Sequence, residues 1–87
     1  MKFNTPEEAV AFAMSIQPRP MVFRQKVSRH VGRIGKYHAR VTDPFFGKWY
    51  VDIQTPFGSD NRGVPETFPS YEAAAKYLTD LSFIPVK

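Results

Sequence analysis

Cationic and hydrogen-bonding side chains recur at every second position through the middle of this chain. They run Arg24 and Lys26, then Lys36, His38 and Arg40, then Lys48, Tyr50, Asp52 and Gln54. Cations at that spacing suit contact with a row of phosphates, whose counterions are released when protein charges replace them. Arginine also pairs with guanine and glutamine with adenine in a major groove, and Tyr50 can stack on a base or sugar. Asp52 dissents. It repels phosphate, yet it can accept from a cytosine amino group, or pair with Arg40 within the sheet. Arg29 and Arg33 add cations between the first two runs, and Arg62 adds one after the last.

Catalysis has little to work with. His30 and His38 are the only histidines, and there is no cysteine, which excludes disulfides, thiolate chemistry and cysteine-held zinc. A dyad of His38 and Asp52 would lack both a nucleophile and an oxyanion site. Asp60 and Glu66 do not have the spacing of a metal cage. Gly32 and Gly35 match neither a P-loop nor a dinucleotide fingerprint. The reading is therefore a non-enzymatic protein with no catalytic residue, metal, cofactor or small-molecule substrate.

The elements that must position these side chains are legible in the periodicity. In Tyr37–Thr42 and Trp49–Gln54 apolar and polar residues alternate, the period of a half-buried strand. Tyr37, Ala39, Val41, Trp49, Val51 and Ile53 should face a core. Lys36, His38, Arg40, Lys48, Tyr50, Asp52 and Gln54 should face out. Asp43-Pro44-Phe45-Phe46-Gly47 supplies a turn between them. Met21–Ser28 predicts a preceding strand, with Phe23 and Val27 inward, Arg24 and Lys26 outward, and Gln25 interrupting the apolar side. Ser28–Gly35 reads as its hairpin connection.

Helices are expected on either side. Thr5 caps, Pro6 suits the first helical position and Glu8 completes a capping box, opening a helix to about Gln17 that packs on the sheet through Ala9, Phe12, Ala13 and Ile16. Pro18 and Pro20 end it. Ser70 caps a second helix from Tyr71 to about Leu81, with Tyr71, Ala74, Ala75, Leu78 and Leu81 on the core side against Trp49. Thr55–Pro69 is mostly loop, with a short edge strand within Arg62–Phe68. The tail from Ser82 holds Phe83, Ile84 and Val86 and is expected to fold back on the domain. The fold class is thus α+β: a three- to four-stranded antiparallel sheet with two helices on one face, in α-β-β-β-α order, residues 1–87 forming one domain.

Charge follows the same division. Of the 87 residues, those from Arg19 to Lys48 hold eight Lys or Arg and one acid, Asp43, while the remainder holds four and seven. A basic centre between acidic helices suggests a surface that meets a polyanion. No apolar run approaches the roughly 20 residues of a membrane span, and the N-terminus does not read as a signal peptide. A soluble cytoplasmic protein with no membrane partner is expected.

The runs Tyr37–Pro56 and Arg62–Leu78 resemble the AP2 DNA-binding domain and the arm-binding domains of phage integrases. The resemblance rests on Gly47-Lys48-Trp49, Asp52-Ile53, Thr67-Phe68 and Glu72-Ala73-Ala74, and covers about the C-terminal 45 residues. It implies a three-stranded sheet, backed by a helix, that enters the major groove with Arg40, Phe46, Asp52, Gln54 and Arg62 near DNA. The sequence departs from the family pattern at Phe46, Asp52 and Gln54, where tryptophan, glutamate and arginine are usual. The element order is similar also to a double-stranded-RNA-binding domain. That family has lysines where this chain has Pro69-Ser70-Tyr71-Glu72, which places RNA below DNA.

The expected function is non-enzymatic DNA binding through Arg24, Lys26, Arg29, Arg33, Lys36, His38, Arg40, Lys48, Tyr50, Gln54 and Arg62. The alternative is a small phage-like inhibitor that docks on a host protein or nucleoprotein, with Phe45, Phe46 and Phe57 as interface anchors.

Overall fold

The computed structural model describes residues 3–16, 19–28, 35–45, 48–56 and 58–86, with residues 26–28, 35, 36 and 43–45 described by their backbone alone. The order is α1 (Pro6–Ser15), β1 (Val22–Ser28), β2 (Gly35–Phe45), β3 (Lys48–Thr55), β4 (Gly58–Ser59), α2 (Tyr71–Asp80) and β5 (Ile84–Val86). The five strands make one antiparallel sheet in the order β4-β3-β2-β1-β5. The α+β class and the antiparallel sheet stand as expected. The strand count and order do not, because the chain adds a strand at each edge.

Both helix starts are set by their caps. The Thr5 hydroxyl accepts from the Glu8 amide at 3.2 Å, and the Ser70 hydroxyl from the Ala73 amide at 3.1 Å, each satisfying a donor with no partner inside the helix. Glu8 reaches one residue further than a capping box requires and accepts from the Asn4 amide at 2.9 Å. α2 lays Tyr71, Ala74, Ala75 and Leu78 on the inner face of β2 and β3, where Phe23, Tyr37, Ala39, Val41, Val51 and Ile53 are buried. α1 buries Ala9 and Ala13. Its main partner is α2, with β5 second, where the sequence suggested the sheet. α2 occupies the centre of the apolar face, so α1 is left its flank.

The tail does fold back, as β5. Leu81 ends α2, and the Phe83 amide then bonds the Leu78 carbonyl at 3.0 Å while the Ser82 amide bonds that of Thr79 at 2.9 Å. This double closure requires a left-handed residue between, here Ser82 at φ 71°. It turns Phe83 into the core and sets Ile84 and Val86 opposite Arg24 and Val22 of β1. Gln25, pointing inward, donates through Nε2 to the Leu81 carbonyl, tying β1 to the same corner.

Three local readings change. The strand expected within 62–68 contributes only an isolated bridge, Trp49 to Phe68, and the edge strand is Gly58–Ser59. Gly58 at φ 114° permits the tight reversal after Thr55. β2 continues through Asp43-Pro44-Phe45, absorbing those residues in a register shift between Thr42 and Phe45, and a proline without an N–H is tolerated at such an irregularity. A second shift, between Gln25 and Ser28, breaks the alternation before Lys26 and Val27, so facing cannot be extrapolated to them from Arg24.

Candidate nucleic-acid interface

Since both helices lie on the inner side, no described element covers the outer face of the sheet, and its composition follows from register. One cross-strand row reads Ile84, Arg24, His38, Gln54, Ser59 from β5 to β4. The next reads Val86, Val22, Arg40, Asp52, and a third pairs Thr42 with Tyr50. Neighbouring strands lie about 4.8 Å apart and alternate residues on one strand about 7 Å apart. Arg24, His38 and Arg40 therefore cluster at the centre, with Lys48 at the far end of β3. All four are exposed, and within the described residues none of them makes an ion pair or side-chain hydrogen bond.

Among the described residues of this face Asp52 is the one acid, and its carboxylate is occupied. The Gln54 amide donates to Oδ2 at 2.6 Å and the Asn61 amide to Oδ1 at 2.8 Å. Arg40 stands opposite Asp52 in the ladder without pairing to it, so of the two alternatives for Asp52 the intrasheet salt bridge does not form. The network continues: Gln54 Nε2 also donates to the Ser59 hydroxyl at 2.7 Å, and Asn61 Oδ1 accepts from the Ile53 amide at 2.7 Å. The 58–61 segment is thereby held against β3. Ser59 and Asn61 are absent from the sequence reading because they belong to a loop with no periodicity to mark them.

Of the other expected site residues, Tyr50 projects from the outer face and is 37% exposed. Arg62 lies beyond β4, where it pairs with the buried carboxylate of Asp60 at 3.4 Å. Its 72% exposed side chain is thus a counter-ion apart from the central cluster. Arg29, Arg33, Phe46 and Phe57 lie outside the described residues, as do the side chains of Lys26, Lys36 and Phe45. The β1 and β5 end of the face is apolar: Val22 and Val86 are half-buried and Ile84 is exposed beside Arg24.

Behind the sheet, Tyr71 fastens α2 to the approach of β1. Its hydroxyl donates to the Pro20 carbonyl at 2.8 Å, Trp49 meets its ring edge-on at 5.5 Å, and the Arg19 guanidinium lies 5.4 Å from its centroid. Burial pushes the phenol up to about 12, against the opposing pull of Arg19. The opposite surface of the molecule is acidic. Glu7 and Glu8 stand on α1 and Glu72 and Asp80 on α2, with Lys76 as the helical cation. A groove of about 350 Å³ runs between the helices, floored by Val10, Ala11 and Met14.

Among the described residues, no group of three or more His, Asp or Glu is placed to hold a metal ion, and no helix is long and apolar enough to cross a membrane. Comparison of the chain with protein-family models, with curated proteins and with solved structures finds no match.

Proposed function

We propose that this chain binds DNA without catalysing a reaction on it, using the outer face of the sheet. One observation carries the reading: the cations Arg24, Arg40 and Lys48, with His38 among them, stand on that face without internal partners among the described residues, while the one described acid there is occupied by amides. Phosphates recruit such cations without first breaking ion pairs within the protein. The AP2 and integrase resemblance rests on β2, β3 and α2, while β1 lies outside it and the 62–68 segment supplies only the bridge from Phe68 to Trp49 in place of a third strand. Lys26, Arg29, Arg33 and Lys36 would extend the contact from the β1–β2 hairpin, and the reading implies a cytoplasmic protein.

Fluorescence anisotropy with a labelled random duplex at 50 and 200 mM salt tests this. Contacts from Arg24, Arg40 and Lys48 alone give a loss of about 40-fold over that range, since each phosphate contributes about 0.9 to the log–log slope. The double variant Arg40→Ala/Lys48→Ala lowers the slope by about 1.8 with an unchanged melting temperature. Absence of binding to duplex or single strand at 50 mM salt refutes the proposal.

A second reading has one feature in its favour. The acid-rimmed, apolar-floored groove between α1 and α2 suits docking on a host protein, as a phage-type inhibitor would. Under that reading Glu72→Lys/Asp80→Lys abolishes association with the partner, and Arg40→Ala/Lys48→Ala does not.

A further inference from the structure

We infer that Gln54 reads DNA as an acceptor only, selecting a base that presents an exocyclic amino group in the major groove, and that Asp52 and Ser59 impose this choice. The inference rests on the DNA-binding reading of the outer face.

A free glutamine carries a donor and an acceptor at equal reach, which is why it pairs with adenine through N6 and N7 together. Gln54 is not free. Asp52 Oδ2 lies 2.6 Å from its amide nitrogen, and an ionised carboxylate can only accept, so the nitrogen and not the oxygen must face it. The same nitrogen lies 2.7 Å from the Ser59 hydroxyl across the β3–β4 ladder. An amide nitrogen has two protons, and both are committed. What remains is the carbonyl oxygen, on an exposed side chain in the row that holds Arg24 and His38.

The partners of Gln54 are themselves held. Asp52 Oδ1 accepts from Asn61, and Asn61 Oδ1 accepts from the Ile53 amide, a backbone group in the middle of β3. Rotating the Gln54 amide would set its oxygen against a carboxylate and break the hydrogen bond to Asp52, a loss that the Ser59 hydroxyl, able to donate as well as accept, does not offset. The network therefore replaces the ambivalent glutamine of the sequence reading with a fixed acceptor. It also reassigns Asp52 from a reader of cytosine to a residue that positions the reader. In the major groove the matching donors are cytosine N4 and adenine N6, while guanine O6 and thymine O4 present acceptors and are disfavoured.

Selection from a random duplex pool, run with the wild type and with Gln54→Ala, Gln54→Met and Asp52→Ala, tests the assignment. The wild-type motif should contain one position at which cytosine or adenine exceeds guanine and thymine by about three- to tenfold, the worth of one hydrogen bond. The ratio of cytosine to adenine there separates the two sources of the amino group. Gln54→Ala and Gln54→Met should erase the preference at that position alone. Asp52→Ala, which frees the amide to rotate, should admit guanine and thymine there. A wild-type preference for guanine or thymine at the position that depends on Gln54, or an unaltered motif in both Gln54 variants, overturns the inference. Retention of duplex with no enriched motif overturns it while leaving DNA binding standing; no retention at 50 mM salt overturns both. Melting curves matching the wild type for the Gln54 variants show that the readout reports on recognition.

Discussion

Replacing Tyr71 by phenylalanine removes one oxygen atom from the junction between α2 and the start of β1, and the sign of its effect should reverse with pH. At neutral pH the hydroxyl donates to the Pro20 carbonyl at 2.8 Å, and the residue is 2% exposed. Its loss leaves that carbonyl without this donor in a buried setting, so Tyr71→Phe costs about 1–2 kcal/mol. In alkali the balance shifts. The folded phenol is raised from 10.0 to about 12 by burial, partly offset by Arg19. A group whose folded value lies above its unfolded value stabilises fully below the unfolded one, and that contribution is lost as pH rises through the folded one. The window is therefore pH 10 to about 12, and at roughly 1.4 kcal/mol per unit the wild type loses nearly 3 kcal/mol that the variant does not. The stabilities should cross close to pH 11, with Tyr71→Phe the more stable above it. Urea denaturation followed by Trp49 fluorescence at pH 7, 10, 11 and 12 measures this, the reporter lying edge-on to the ring concerned. A difference that stays constant from pH 7 to 12 refutes the reasoning about burial. Equal stability at pH 7 refutes the energetic role of the Pro20 contact.

Two further outcomes concern the corner where α2 becomes β5. Ser82→Gly should stabilise by about 0.5–1 kcal/mol, because a left-handed conformation costs an L-residue about 1–2 kcal/mol and glycine's greater unfolded freedom takes back part of the gain; a rise in melting temperature of a few degrees would show it, and a fall would contradict it. Phe83→Ala should cost about 3–5 kcal/mol and exceed Trp49→Ala, since Phe83 is 2% exposed and Trp49 only half-buried. The reverse ranking by urea denaturation would place the core elsewhere.

The facing of β2 and β3 could be read from sequence because six residues of strict alternation permit only one buried set. Both helix starts were legible from their caps, Thr5 with Pro6 and Glu8 behind it and Ser70 with Tyr71, each ahead of apolar residues at helical spacing. The pairing of β5 with β1 is another matter. It joins Val22 to Val86 and Arg24 to Ile84 across 64 and 60 residues of sequence, and three residues containing a proline leave no periodic signal of what they pair with. The irregularities at Gln25–Ser28 and Thr42–Phe45 are likewise silent, since one extra residue alters facing without altering composition. At the candidate site the cations could be found by spacing. The state of Asp52 could not, because its partner Asn61 lies nine residues on, in a loop whose path depends on the network it helps to build.

The shortest dimension of the molecule is 17 Å, so the acidic helical surface behind the cationic sheet surface lies at least about two physiological masking lengths away. The distance over which ions in solution mask a charge is about 8 Å under physiological conditions and about 30 Å at 0.01 M. In ordinary buffers, then, a polyanion approaching the sheet is shielded from the carboxylates at the back, and the molecule behaves as though it were more basic than its net charge of +4. In very dilute buffer the far carboxylates are felt through the whole thickness, and repulsion erodes the attraction. Affinity for a negatively charged partner should therefore climb less steeply as salt is withdrawn once the masking distance exceeds the depth of the fold, the net charge of +4 keeping the interaction attractive throughout.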